Sequence, residues 1–420
     1  MTRIESWYIA YALQGTVVAG LIPIALPLVV GGGGGNPAQV GLVMGALSLG
    51  GLVAPAFGSL ADRYRLHRVL LSGGLVALAA GLVLFVLASS TAARLALALE
   101  LGLAAAASAT VANLFVVEAH PEPEWDERIG WLQTFYGGGQ VAGLLLAGLL
   151  SLSHALAGLA VAAALCVAAA IQGWMTTRTP PAPPATAPAP VLAHPVRHCE
   201  ASALSPQRLF HRPDLRALAG QGSTLRSPFG GFTLLWLASF GGASTIFSLY
   251  PVMMQHGFGV APARSSAAFA LAATLGLLLY SPAGRLAERL GSLRVLEIGL
   301  LMRLAAFSGL ALLGLAPALA GRSYLAMGSF VVIVLAWSPL SVAGTAMAAE
   351  LSPAGKGAGL GIFNAATAVA GLIGAVAAGW AAAAWGYTAV SGLALAGVAF
   401  GLAWAVVRRP ADHGANTGSA

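Results

Sequence analysis

Charge is what this sequence has least of. Asp, Glu, Lys and Arg make up 8% of its 420 residues, against about 25% in a soluble domain. Lys356 is the one lysine among 21 basic residues. With 58% hydrophobic residues and a mean hydropathy of +0.83, the chain cannot cover a water-soluble surface, and its solvent is lipid. Cysteine is almost absent: Cys166 lies in an apolar run and Cys199 in a Pro-rich stretch, which excludes a disulfide framework. The glycine run from Gly31 to Gly35 is not followed by Gly-Lys-Ser/Thr, so it is not a phosphate loop. His194, His198 and Cys199 have no second paired set, and no metal site is expected there. No Ser-His-Asp or Cys-His arrangement stands out, so neither an enzyme nor a bound cofactor is expected.

What is present is a series of long apolar runs. A helix needs about 20 apolar residues to cross a bilayer. Twelve such spans are predicted, at 7–30, 38–60, 69–89, 92–117, 129–150, 153–175, 229–255, 263–283, 295–316, 322–349, 355–381 and 385–407. Arg3 and Glu5 precede a run too long for a cleavable signal, so it is read as the first span. The expected organisation is an N-terminal six-helix bundle (1–176), a linker (177–228), a C-terminal six-helix bundle (229–410) and a tail (411–420). The linker opens on Pro- and Ala-rich sequence, which favours an extended chain. Around Leu204 to Leu218 a short amphipathic helix is possible.

The basic residues sort by side. With the N-terminus in the cytoplasm, 17 of them fall on inner segments, Arg94, Arg264 and Arg322 fall outside, and Arg303 lies within a span. Both termini and the linker are therefore expected in the cytoplasm. The net charge of +7 reports topology rather than a nucleic-acid partner. Expected partners are the bilayer and a small molecule, with the chain a monomer. The scarcity of lysine and the wealth of alanine suggest a GC-rich bacterial genome, hence the cytoplasmic (inner) membrane.

Two stretches repeat. Gly58-Ser-Leu60-Ala61-Asp62-Arg63 is followed four residues later by Arg68-Val-Leu, and Gly284-Arg-Leu286-Ala287-Glu288-Arg289 by Arg294-Val-Leu. Each reads as a charged gap between spans of corresponding number. A second pair of signals follows: Glu118 before Arg128-Ile-Gly130, and Glu350 before Lys356-Gly357. These motifs resemble those of the major facilitator superfamily, whose signature between helices 2 and 3 is roughly G-x-L-A-D-R-x-G-R-[KR]. Arg65 stands where that signature has Gly, Leu66 where it has a basic residue, and His67 where it has Lys or Arg; Gly291 restores the glycine in the second copy.

The resemblance implies an all-helical fold of twelve transmembrane helices in two pseudo-symmetric bundles, and secondary active transport by alternating access. It also implies a candidate gate. Asp62 is expected near the positive start of helix 11 and Lys356. Glu118 is expected to pair with Arg63 or Arg68, and Glu350 with Arg289 or Arg294. The alternative is that these charges only fix topology and solvate loops. The acids Glu122, Glu124, Asp126 and Glu127 read as a solvated loop.

All acids but one fall at cytoplasmic positions. Glu100 sits about 12 Å into helix 4 at 1.5 Å per residue. A carboxylate at that depth is a functional candidate by default. Since helices 1, 4, 7 and 10 line the cavity in the family, Glu100 is the proton-coupling candidate, with packing by a neutral Glu as the alternative. Arg94 is expected to snorkel outward. If helix 9 starts near Ile298, Arg303 reaches the cytoplasmic interface; the alternative is a role in the cavity. The cavity candidates are Tyr11, Gln14, Asn113, Gln133, Tyr136, Gln140, Trp236, Ser244, Tyr250, Gln255, Trp337, Ser341 and Asn364. They are aromatic and sparsely charged, which favours an amphipathic substrate or a neutral one with a few polar groups. The family's drug/proton antiporters carry Gly-Pro in helix 5, whereas this helix has Gly137, Gly138, Gly139, Gly143 and Gly148 and no Pro. Proton-driven efflux is favoured slightly over proton-driven uptake of a nutrient; a membrane enzyme or a sensor is remote.

Overall fold

The computed structural model describes residues 4–32, 35–121, 124–151, 155–177, 227–353 and 356–407. The expected surface helix at 204–218, the His194–Cys199 cluster and the tail at 411–420 lie outside the described residues. Among those described there is no strand. Twelve long helices run α1 (Tyr8–Gly31), α2 (in three pieces, Pro37–Ser48, Leu49–Val53 and Ala54–Tyr64), α3 (His67–Leu87), α4 (Thr91–Ala119), α5 (Trp125–Leu150) and α6 (Ala155–Thr176), then α7 (Pro228–Gly257), α8 (Pro262–Leu290), α9 (Ser292–Leu315), α10 (Arg322–Leu351), α11 (Lys356–Trp385) and α12 (Tyr387–Val407). Eleven are long and apolar enough to cross a membrane. The twelfth, α5, has the length, but Gln133, Tyr136 and Gln140 lower its hydropathy.

The two sets of six repeat one packing scheme. In the first, α1 packs on α5 and α6, α4 on α2 and α3, and α3 on α6; in the second, α7 packs on α11 and α12, α10 on α8 and α9, and α9 on α12. Each pair in one half has its counterpart six helices later. The duplicated motif is therefore the trace of a duplicated bundle, the parallel-repeat arrangement of one class of transporters.

With no hydrophobic drive between helices in lipid, small residues set the close contacts. Gly20 of α1 and Gly143 of α5 are one such crossing: a Cβ on Gly20 would lie 2.6 Å from the Gly143 Cα. The turn of α1 before Pro23 widens into a π segment over Thr16–Leu21, since that proline cannot donate to the carbonyl four residues back.

The repeated motif is less loop-like than expected. Gly58–Arg63 and Gly284–Arg289 are the last turns of α2 and α8, and α8 runs seven residues past its expected end. Leu, Ala and Arg favour helix, and Arg63 and Arg289 complement the negative helix end. The chain turns only at Arg65 (φ 55°) and Gly291 (φ 86°), equivalent positions of the two copies. Arg65 thus takes a left-handed conformation where the signature has glycine, which explains that glycine physically.

Candidate functional site

A cavity of about 560 Å³ lies between the two bundles, within the usual range for small-molecule sites. From the first bundle it takes Tyr11 of α1, residues 48 to 55 of α2, Ala106, Ala109, Thr110 and Asn113 of α4, and Gln133 and Tyr136 of α5. From the second it takes Phe240 and Ser244 of α7 and residues 360 to 371 of α11, including Asn364 and Thr367. None of these described lining residues is charged. They come from the parts of α2, α4, α5 and α11 nearest the repeated motifs, so the cavity occupies the motif half of the molecule.

The other half is shut. There α2 crosses α11 at Gly41 and Gly379, where a Cβ on Gly379 would sit 2.8 Å from the Gly41 Cα, and Gly31 of α1 meets Val252 of α7. The motif end, by contrast, has Arg63, Glu288, Arg289, Arg294 and Glu350 exposed, while Gly58 and Gly284 are buried. The expected pairing of Glu350 with Arg289 or Arg294 is not formed: no ion pair joins them. Arg68 instead lies over the Trp174 ring at 4.0 Å and donates to the Trp174 carbonyl. The side chains of Asp62, Glu118 and Lys356, the rest of the expected gate, fall outside the described residues.

The cavity wall of the first bundle is a polar array. Gln133 Nε2 donates to Asn113 Oδ1 at 3.2 Å, Asn113 Nδ2 donates to the Ala109 carbonyl at 2.9 Å, and the Tyr11 hydroxyl bonds both amide side chains. Tyr136 packs its ring on Tyr11 at 4.9 Å. Across the cavity Phe240 lines the second bundle, with an aromatic layer packed behind it. Trp236 donates to Thr367 Oγ1 at 2.8 Å and contacts Phe363 at 4.5 Å, Phe240 at 5.9 Å and Trp337 at 6.3 Å. Ser244 donates to the Gly371 carbonyl at 3.1 Å.

The residue pattern matches the Major Facilitator Superfamily model over residues 7–338 and 232–420. The chain belongs to the Major Facilitator Superfamily. No curated protein sequence matches it. Among solved structures it is similar to the nucleoside transporter NupG, with a TM-score of 0.74 at 14% identity over 96% of this chain and 97% of that one. It is also similar to a bacterial homologue of the human lysosomal transporter Spinster in an inward-facing, occupied conformation, with a TM-score of 0.67 at 16% identity over 96% and 95%. As a superfamily member the chain is a multi-pass membrane transporter, and at these identities the likeness speaks for the fold.

Within that fold the expected cavity residues separate. Tyr11, Asn113, Gln133, Tyr136, Ser244 and Asn364 line the cavity. Gln14 does not: it is buried and donates to Ser108 Oγ at 2.8 Å, tying α1 to α4. Gln140 lies one turn beyond Tyr136, its carbonyl against Gly20. Tyr250 is buried near the closed end, donating to the Ser265 carbonyl at 2.7 Å, and Gln255 is exposed beyond it. Trp236, Trp337 and Ser341 form a layer behind the lining, where Tyr280 bonds both Trp337 and Ser341.

Two membrane charges differ from expectation. Glu100 does not face the cavity. Lining residues 106, 109, 110 and 113 share one face of α4, and at 100° per residue Glu100 points about 130° away from it. It packs on α3 at Gly81, where a Cβ would lie 3.0 Å from its Cδ. Arg303 does not reach the interface. Because α9 begins at Ser292, Arg303 lies about 16 Å along it, and it is 1% exposed.

One cluster was invisible beforehand. Glu5 accepts from Arg128 Nη1 at 3.1 Å and from Trp7 Nε1 at 2.9 Å, and lies 2.6 Å from His120 Nε2. Arg128 also donates to Glu124 at 2.9 Å. This network clamps the N-terminal segment onto the α4–α5 turn. Its members lie up to 123 residues apart, so no local pattern marks it.

Proposed function

We propose that this transporter moves a small amphipathic compound outward across the cytoplasmic membrane in exchange for protons, by alternating access. The observation that carries the reading is the uncharged cavity, lined by amides and phenols on one side and by Phe240, Ser244 and the small, polar face of α11 on the other, open toward one end and shut at the other. Such a wall suits an apolar body with a few hydrogen-bonding groups. The 17 basic residues on one set of segments support placing the motif end and both termini in the cytoplasm. On that orientation the cavity faces inward.

Glu100 is the proposed proton carrier. Among the described acids it lies deepest in a span, and its buried Oε2 has no hydrogen-bond partner. A neutral carboxyl fits the α3–α4 seam, whereas an ionised one is costly there, by about 3 kcal/mol on insertion scales. Loading and release of one proton would thus change how α3 packs on α4, without Glu100 touching the substrate.

Uptake of a neutral metabolite is the second reading. It is favoured by the proline-free α5 and by the likeness to a nucleoside transporter. Everted vesicles with an imposed pH gradient, supplied externally with a dye and metabolite panel, separate the two. Export is expected as accumulation driven by an acidic interior, with gradient dependence lost in Glu100→Gln. Accumulation only in right-side-out vesicles would establish uptake instead. Equal gradient-driven transport by wild type and Glu100→Gln would remove Glu100 from the coupling mechanism.

A further inference from the structure

Among the described residues Arg303, in the middle of the second bundle, has no counter-ion. It is 1% exposed, and its Nε and Nη2 have no hydrogen-bond partner. Its contact is with the face of the Trp337 ring, 5.7 Å from the guanidinium carbon to the ring centroid. No acid of this half supplies its charge. Between residues 227 and 407 the acids are Glu288, Glu297 and Glu350. Glu288 and Glu350 are exposed at the motif end. Glu297 precedes Arg303 on α9 by about 9 Å of rise and points about 120° away around the helix. At about 16 Å along its helix, Arg303 is near the middle of a hydrocarbon core about 30 Å thick.

An embedded arginine with two buried donor nitrogens unpartnered is costly in the empty protein, and a negative charge arriving from outside offsets that cost. A chain of aromatic rings leads to Arg303 from the cavity. Trp337 is half-buried and touches Phe240 at 5.6 Å between ring centroids, and Phe240 lines the cavity. Arg303 is therefore two aromatic rings from the cavity. We propose that Arg303 and Trp337 form a subsite for one negative charge, and that the transported compound is an amphipathic monoanion, an apolar or aromatic body bearing a single carboxylate. This rests on the transport reading and narrows its substrate class. The substrate's ring takes the place of the Trp337–Phe240 contact, and the guanidinium turns from the Trp337 face to a bidentate carboxylate. The planar fork of arginine matches that geometry, which an ammonium does not. A single buried cation also sets the limit: a dianion would carry a second charge into an uncharged cavity.

The test is binding to the purified full-length protein in nanodiscs, by calorimetry and thermal shift. The probes are two matched pairs, 1-naphthaleneacetate with 1-naphthaleneacetamide and octanoate with octanamide. Each is measured in gluconate and in chloride buffer. Wild type is expected to bind the acid of at least one pair about tenfold more tightly than its amide. Arg303→Gln is expected to reduce that preference to within about twofold by weakening acid binding more than amide binding, and Arg303→Lys to give an intermediate value. If Arg303→Gln does not fold, the acid-to-amide ratio of Arg303→Lys against wild type decides. No preference in wild type, no binding of either acid, or a preference kept in Arg303→Gln overturns the inference. Stabilisation by chloride alone, lost in Arg303→Gln, overturns the substrate assignment and makes the ligand an inorganic anion. Counterflow of the same probes in sealed proteoliposomes separates the two readings. Acid preference without transport counts against transport alone; transport of amide and acid alike counts against this inference alone.

Discussion

Gly379 of α11 and Gly41 of α2 meet backbone to backbone, so closely that a Cβ on Gly379 would lie 2.6 Å from the Pro37 carbonyl oxygen and 2.8 Å from the Gly41 Cα. This contact joins the two bundles on the side away from the cavity. It is one of the places where the halves must part if the site is to open the other way.

Gly379→Val should therefore bias the molecule away from the observed state. Overpacking of this kind costs about 1–3 kcal/mol, which moves a two-state equilibrium by about 5–150-fold. Spin labels at the closed end should move apart in this variant, and transport should fall while the protein still purifies folded. Unchanged label distances would show that the crossing does not set the state.

Cavity and seam substitutions should separate by kinetic signature. Tyr11→Phe and Asn113→Ala break the polar array that faces the cavity. They should raise KM about tenfold for substrates that hydrogen-bond there, a loss of about 1–2 kcal/mol. Gln14→Ala removes the bond to Ser108 between α1 and α4. It should lower the melting temperature and leave KM near wild type. The reverse pattern would exchange their roles.

The repeated turn makes a paired prediction. Gly291 has φ 86° and ψ 149°, a region open in practice only to glycine. Gly291→Ala should destabilise by about 1–3 kcal/mol. At the equivalent position Arg65→Gly and Arg65→Ala both remove the side chain, but only glycine relieves the left-handed strain. The glycine variant should be more stable than the alanine variant by about 1 kcal/mol. Thermal unfolding in detergent measures all three.

Glu5 and Arg128 should couple. Arg128 is largely buried, while about a third of the Glu5 side chain is exposed, so screening limits their ion pair. A double-mutant cycle of Glu5→Gln and Arg128→Gln should return about 1 kcal/mol of interaction. Glu5→Gln should also make the N-terminal segment more sensitive to protease. Additive effects would show that the two groups act separately.

The sequence by itself determined the bilayer as solvent, the twelve helices, their division into six and six, and the repeat that relates the halves. Each is a local quantity: about 20 apolar residues suffice to define a span, and the motif copies can be aligned by eye. Helix ends were legible less finely, and that mattered. Starting α9 at Ser292 rather than near Ile298, and packing it against its neighbours, turns Arg303 from an interfacial residue into a buried one. Tertiary structure alone decided which way each polar side chain points. Glu100 and Asn113 share α4, yet one meets Gly81 of α3 and the other the cavity, because the helices packed around α4 differ from face to face. Gln14 and Tyr11 are one turn apart and divide in the same way. The Glu5–Arg128–His120 network and the Gly41–Gly379 crossing join residues more than a hundred positions apart. Such contacts are set by the packing of whole helices and leave no periodic mark in the chain.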